Sequence, residues 1–440
     1  MRLSIEGYKS INTKQGINIS GLSVIAGKNS SGKSSFMQPF LILKQTFESN
    51  TDSNALIING ENTDLTKKDQ LLCKQTKSNK FSIYIEYDDG NKTKKTSQVV
   101  FEYDEKKGFI STSSRFTSKK QDITLSLDMS QFEIDNLVSE LEKNDSTFSR
   151  IYRNFAKDKL KLINRIDNNE LFLTLRIEPK KQQNKKENQF NLGVVFEFNP
   201  SGFLKRFAEN IIHISGIRQS PVREYKLTKY NKNYQGLFDK YTATIIYNWS
   251  TEDEKKLNKL QTLIEDLELA TNITTRKIDE AYIAIEISRF MQSPKTDTVN
   301  ISDVGLGLSQ VLPILVALIE AKENNIIYIE QPEIHLHPKA QFKLAKIFCN
   351  FVKNGKKIIV ETHSSIFIRG LQIAVANNEL RGDLFSLNWF HQNEEGNSII
   401  TEASLDEMGA FDDWPSDFDD IYLDVEGQYL DAVEKKMARG

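Results

Sequence analysis

The stretch GLSVIAGKNSSGKSSFMQPFLILKQTFES, residues 21–49, decides the fold. Its opening, GLSVIAG, is a short apolar run bounded by glycines, the pattern of a strand buried on both faces of a parallel sheet. Its close, KSSFMQPFLILKQTFES, has helical length and apolar spacing, with Pro39 early enough to kink the helix. Between them GKNSSGKS, Gly27 to Ser34, matches the GxxxxGK[ST] phosphate-binding loop, and a strand before it with a helix after it is the context this chemistry demands. Backbone N–H groups across Gly27, Asn29, Ser30, Ser31, Gly32 and Ser35 can wrap phosphate oxygens at the helix N-terminus. Glycine at 27 and 32 lets the chain approach closely. Lys33 can neutralise β and γ phosphates, and the Ser34 hydroxyl can ligate Mg2+.

A P-loop needs a second acid on a neighbouring strand to hold the magnesium. IIYIEQPEIHLHP, Ile326 to Pro338, offers one: IIYI reads as a buried strand with Glu330 at its carboxyl end. KKIIVETHS ends a third strand at Glu361, with Thr362, His363 and Ser364 just beyond. Three apolar strands ending in polar residues on one side is the arrangement that binds ligands in open parallel sheets. Glu333, His335 and His337 alternate, as metal ligands on an extended segment would. Ordinary turn polarity imitates the same pattern, and the convergence of three strand ends favours nucleotide over zinc.

At 440 residues the chain accommodates two or three domains, or one large α/β domain with an insertion. Hydrophobic content of 39% with 27% charged residues is that of a globular protein. No apolar run approaches the roughly eighteen residues of a membrane span, so no membrane partner is expected. The first residues, MRLSIEGYKSINTK, lack the apolar core of a secretory signal, and a cytoplasmic location is expected. Cys73 and Cys349 form no CxxC pair, which fits a reducing compartment without structural zinc. The net charge of −2 is uneven: residues 401–440 hold twelve acids against three bases, a net of −9, leaving +7 on the rest. That excess is too dilute to define a nucleic-acid face.

Elsewhere, FSIYIEY, the turn DDGN at 88–91 and SQVVFEY read as an antiparallel sheet. Residues 130–166 read as helical, with a basic run through Arg150, Arg153, Lys157, Lys159, Lys161 and Arg165. PKKQQNKKENQ, residues 179–189, reads as a solvated loop. Leu257, Leu260, Ile264 and Leu267 mark a packed surface helix, too short for a long coiled coil. AYIAIEI reads as a strand, and NISDVGLGLSQVLPILVALIEA as a glycine-bearing turn opening a helix, with Ser309 as N-cap and Pro313 in its first turn.

Taken in order, GKNSSGKSS, DVGLGLSQVLP, YIEQPEIHLHP and VETHS resemble the ABC-type ATPase head shared by SMC and RecF proteins, and more closely the ATPases related to the overcoming-lysogenization-defect (OLD) proteins. HISGIRQSPVREY, His213 to Tyr225, and MGAFDDWPSDF are similar to segments of a bacterial branch carrying the E-Q-P-E-hydrophobic-H-L-H-P motif. The resemblance implies an α/β fold, an ABC-type P-loop ATPase head with a mixed sheet, an antiparallel β lobe and an inserted helical segment. Residues 1–110 would form the P-loop part of the head and the antiparallel lobe, and 111–200 the insertion. Residues 201–400 would carry the signature, the acidic strand and a switch histidine, and 401–440 an acidic tail.

The same resemblance implies ATP and Mg2+ held between two heads, with Ser34 and Glu330 as metal ligands. Gly305, Gly307 and Ser309 look like the signature motif facing the γ-phosphate of the opposite subunit, and the helix opening there would aim its dipole at that charge. His363 is similar to the switch histidine, and His335 and His337 to packing residues at the dimer seam. Where many such heads have Asp-Glu, this chain has Glu330-Gln331, and an amide cannot act as a general base. That leaves Gln331 to orient the water, Glu333 to take the base role, or hydrolysis to be slow. The resemblance extends to the PtuA-type ATPases of Septu antiphage defence, which implies a homo-oligomer of head-to-head dimers regulating a separate HNH-type nuclease. The residues after ETHS are too few for the Toprim nuclease domain of OLD proteins. The alternative is a RecF- or SMC-like repair ATPase with DNA as its partner. Arg218 and Arg223 stay open between phosphate, partner and a structural brace, and DDWP at 412–415 is expected to anchor the tail.

Overall fold

The structure is a computed structural model that describes all residues except 50–53, 77, 89, 91–92, 146–147, 151, 154–161, 169–170, 180–195, 231–233, 290–296, 407, 413–426 and 434–440. The chain divides into two compact units, one of Met1–Asn18 with Ser35–Asn210, the other of Ile19–Ser34 with Ile211–Gly440. The boundary at Ser34 falls within the helix Lys33–Glu48, which contains Pro39 as expected.

The first unit is built on a six-stranded antiparallel sheet, ordered Gln15–Asn18, Arg2–Glu6, Lys80–Asp88, Lys94–Asp104, Gly108–Thr117, Asp122–Ser126. Alternation drives it: Phe81, Ile83 and Ile85 are buried while their neighbours face outward, so one face of the strand is apolar. Helix Gln131–Asn144 starts at a capping box, the Ser130 side chain accepting from the Glu133 N–H while the Glu133 carboxylate accepts from the Ser130 N–H. Its buried stripe of Ile134, Val138 and Leu141 packs with Leu173 and with Leu175 and Ile177 of a small antiparallel sheet made by Leu162–Asp167, Thr174–Pro179 and Phe196–Phe198. The expected helix over 130–166 is therefore corrected at its far end, where Leu162–Asp167 is a strand paired to Thr174–Pro179. Lys157, Lys159 and Lys161 lie outside the described residues, as do 180–189 of the lysine-rich loop and Asp89 and Asn91 of the expected turn.

The second unit holds the mixed sheet. Its order is Ile211–Ile214, Ile326–Glu330, Lys357–Glu361, Leu22–Gly27, Phe385–Gln392, Ser398–Ala403, with all neighbours parallel except the last pair. Leu22, Val24 and Ala26 are fully buried at its centre, which accounts for the uninterrupted apolar run in the sequence. Helices Leu306–Glu320, Pro338–Lys353 and Ser365–Ala376 contribute to the same core, as do Leu260, Ile264 and Leu267 of the Glu254–Asp266 region. A smaller antiparallel sheet surrounds Tyr282–Ser288, the strand expected from AYIAIEI. The helix expected from NISDVGLGLSQVLPILVALIEA is corrected at its start: it begins at Leu306 with Gly305 as N-cap, so Ser309 lies inside the first turn and Pro313 is interior. Gly305 already supplies the extended backbone that a cap requires, leaving Ser309 no such task. Among the described residues no helix is long and apolar enough to cross a membrane. Both cysteines are free and buried. Asp413–Pro415 of the expected tail anchor, and most of the acidic tail, lie outside the described residues.

Candidate functional site

The P-loop is shaped by backbone conformations that few residues tolerate. Gly27 (φ 144°), Ser30 (φ 61°) and Gly32 (φ 98°) all have positive φ before the helix begins at Lys33. A Cβ at Gly27 would stand 2.1 Å from the Phe390 carbonyl oxygen, so only glycine fits. The last hairpin of the sheet braces the loop: Gln392 Nε2 donates to the Ser30 carbonyl (3.0 Å), and Ser398 Oγ to the Ser31 carbonyl (2.6 Å). Asn29 and Ser30 are exposed, while Ser31 is buried with its hydroxyl donating to the Lys28 carbonyl. Lys33 is only 4% exposed. Its ammonium turns under the loop and donates to the carbonyls of Gly27 (3.0 Å) and Lys28. Burial holds the Lys33 pKa below its usual range, and the charge of Glu361 draws it back up.

Two acidic strand ends meet this loop in a defined order. Lys357–Glu361 is the immediate neighbour of the P-loop strand, and Ile326–Glu330 is one strand further away, with Glu330 in register opposite Glu361. Ser34 Oγ accordingly donates to Glu361 Oε1 (2.6 Å). Tyr328, fully buried, donates to Glu361 Oε2 (3.2 Å). Burial pushes the Glu361 carboxyl up to about 7, with Glu330 adding to the rise and Ser34, Lys33 and Tyr328 opposing it. Glu330 bonds elsewhere: Oε1 pairs with His213 Nε2 (3.2 Å) and Oε2 accepts from the Gly216 N–H (3.0 Å). Burial raises the Glu330 pKa and these hydrogen bonds, His213 foremost, lower it, leaving it below the usual value. His213 is itself buried and stacked on Tyr328.

Beyond Glu330 the chain turns sharply. Gln331 has φ 45°, a left-handed backbone that costs a non-glycine residue roughly 1–2 kcal/mol. It is held from two sides: its N–H donates to the Glu361 carbonyl (2.7 Å), and Arg218 Nη2 donates to the carbonyls of Glu330 (2.6 Å) and Gln331 (3.2 Å). Glu333 lies one turn on, its Oε1 accepting from the His363 N–H (2.8 Å). Burial raises the Glu333 pKa, against the pull of the His363 N–H, Thr362 and Arg218. His363 is exposed, and its pKa is lowered by partial burial and then by the charge of Lys33, which ties it electrically to the P-loop.

The structure thus brings together Lys33, Ser34, Glu330, Gln331, Glu333 and His363, and it adds Glu361, Tyr328, His213 and Arg218. Gly307 and Ser309 make their contacts elsewhere, and nothing stands within 4 Å of a Cβ built on Gly305. A Cβ on Gly307 would lie 3.0 Å from the His335 carbonyl, and Ser309 Oγ donates back to the Leu306 carbonyl (2.9 Å). His335 is exposed with φ 62°, and His337 caps the helix Pro338–Lys353 by accepting the Lys339 N–H at Nδ1 (3.3 Å). Among the described residues no group of three His, Cys, Asp or Glu is arranged to hold a metal ion. Nothing in the sequence singles out His213 or Tyr328; within His213–Tyr225 only Arg218 and Arg223 stand out as candidates, and the structure gives Arg218 the bracing contacts.

The residues fit a triphosphate with a hard cation. A glycine-bent loop opens a helix whose first N–H groups lack intrahelical partners. A buried ammonium sits beneath it, and a hydroxyl stands against paired carboxylates, the oxygen donors magnesium prefers. The family described as AAA ATPase domain matches residues 1–368. No curated protein matches the chain. Among solved structures, an SMC head bound to the C-winged helix domain of ScpA is 12% identical, the match covering 92% of this chain and 98% of that one, with a TM-score of 0.46. An SMC head domain from Thermotoga maritima is 11% identical over 91% of this chain and 97% of that one, TM-score 0.40. An SMC head domain with an extended coiled coil, bound to the C-terminal domain of ScpA derived from Pyrococcus furiosus, is 12% identical over 92% and 96%, TM-score 0.39.

Proposed function

Because the chain belongs to the AAA ATPase domain family, we propose that it binds and hydrolyses ATP, that two copies close head to head around the nucleotide, and that the closed state regulates a partner nuclease in antiphage defence. The observation that supports this reading most is the 2.6 Å bond from Ser34 to Glu361, with Glu330 in register beside it. It joins the P-loop to the acidic strand ends, as a triphosphate centre requires.

In this reading Asn29 to Ser35 cradle the phosphates, Lys33 moves from the Gly27 and Lys28 carbonyls to the β and γ oxygens, and His363 contacts the γ-phosphate. Ser34 and Glu330 would hold Mg2+, with Glu361 against Ser34. The ion supplies charge neutralisation on the transferring phosphoryl group. Gln331, unable to take a proton, orients the attacking water, and Glu333 accepts that water's proton. Gly305, Gly307 and Ser309 of the second copy cap the γ-phosphate through the helix N-terminus. Turnover without a partner is slow, the partner is an HNH-type nuclease, and the assembly is cytoplasmic.

Lys33→Ala tests the centre. Fluorescent-nucleotide titration should show affinity lowered by about 100-fold, the scale of losing a charge-assisted phosphate contact, and light scattering should show no ATP-dependent dimer. Unchanged nucleotide affinity would remove the whole reading. Natively expressed protein copurifying with a nuclease supports the defence role; copurification with DNA alone points to the repair ATPase instead.

A further inference from the structure

Arg218 is 6% exposed and belongs to the segment that follows the strand Ile211–Ile214. Arginine is almost never buried without partners, yet only Nη2 of this side chain has any, the carbonyls of Glu330 and Gln331. Nε and Nη1 are buried with no partner among the described residues. Burial lowers the pKa of the guanidinium to about 10, and of the carboxylates that counter this, Glu333 acts most strongly, ahead of Glu330 and Asp239. On Glu333, Oε1 takes the His363 N–H while Oε2 is buried with no hydrogen-bond partner among the described residues, although the Thr362 hydroxyl and the Glu333 N–H also draw on the carboxylate. Buried polar groups are satisfied in nearly all proteins, and a donor and an acceptor left over within electrostatic reach of each other call for a role.

The segment itself is tied down on both sides of Arg218. The Gly216 N–H donates to Glu330 Oε2 (3.0 Å), and Gln310 Nε2 of the signature helix donates to the Gln219 carbonyl (3.2 Å). The guanidinium therefore has a fixed base from which to hold the Glu330–Gln331 turn.

Resting on the ATPase reading above, we propose that Arg218 is a positioning residue for hydrolysis: it holds the left-handed turn at Gln331 and, through its unpartnered donors, sets the Glu333 carboxylate and the attacking water. In the step it serves, the water oxygen bonds to the γ-phosphorus. The bond from that phosphorus to the bridging oxygen breaks, its electron pair leaving on ADP, and the proton of the water passes to Glu333. In this role Arg218 acts on the Gln331 turn and on Glu333 and not on phosphate, which separates it from a phosphate-binding arginine.

The test uses the full chain with magnesium and ATP. For Arg218→Ala, kcat should fall about 10- to 100-fold, the scale of a lost hydrogen bond to a charged group. Nucleotide Kd should stay within about threefold of wild type, and added guanidinium chloride at low millimolar levels should restore part of kcat. Arg218→Lys keeps the charge without the planar fork and should lose about tenfold in kcat with Kd unchanged. This variant carries the test if the alanine variant does not fold. Wild-type kcat in either variant, or a loss confined to Kd, or a loss with no guanidinium rescue, overturns the proposal while the ATPase reading stands. A wild-type protein that binds ATP without turning it over overturns both.

Discussion

Glu361→Gln removes a carboxyl whose native pKa is pushed up to about 7 from 4.5, first by burial and then by Glu330, despite the opposing bonds from Ser34 and Tyr328 and the charge of Lys33. Below pH 4.5 the group is protonated in both folded and unfolded chains and makes no difference to stability. Between 4.5 and 7 the unfolded chain gives up its proton while the folded chain retains it, so the unfolded state binds fewer protons and stability falls as pH rises. At about 1.4 kcal/mol per pKa unit, the rise from 4.5 to about 7 corresponds to about 3 kcal/mol lost across that window. Solvent screening takes little from this figure, because Glu361 is 3% exposed. Glutamine has the same shape, can still accept from Ser34 and has no proton to release. Urea unfolding of both proteins, free of nucleotide and magnesium, should show the stability of wild type relative to the variant falling by about 3 kcal/mol from pH 4.5 to 7 and flat from about pH 8 upward. A difference that is constant with pH, or that grows in favour of wild type, refutes the reasoning.

Gly27→Ala places a methyl group 2.1 Å from the Phe390 carbonyl at a φ of 144°; thermal melting should show a loss of about 3 kcal/mol or more, and nucleotide binding should vanish with it. Gln331→Glu replaces the amide proposed to orient the attacking water, at a turn whose backbone is already held by Glu361 and Arg218, and steady-state ATP turnover should fall about tenfold or more. A rise in turnover instead shows that a base was missing at this position and that Glu333 does not fill the role.

The P-loop was legible because its chemistry is written in consecutive residues, with the strand and helix on either side. The order of the acids was not. Glu330 and Glu361 both end apolar runs, and only the strand order, with Lys357–Glu361 directly beside Leu22–Gly27, explains why Ser34 bonds to Glu361. Arg218 depends on the same kind of long-range fact: it meets the Glu330 carbonyl because Ile211–Ile214 pairs in parallel with Ile326–Ile329. Leu162–Asp167 alternates between exposed and less exposed positions, a two-residue period too short to stand out behind a helical run. The helix Leu306–Glu320 has its cap four residues before the expected one, because the serine at 309 reads as a cap by its side chain while the glycine at 305 caps by backbone conformation alone.

The strand Leu22–Gly27 lies between Lys357–Glu361 and Phe385–Gln392, and its loop is braced by Gln392 and Ser398. During synthesis the ribosome therefore releases the central strand more than three hundred residues before either neighbour exists. Pairing across such distances is slow and leaves apolar surface waiting. Nascent chains halted before Ser398 emerges should be blind to nucleotide and in need of a chaperone, so that the capacity to bind waits for the last hairpin of the sheet.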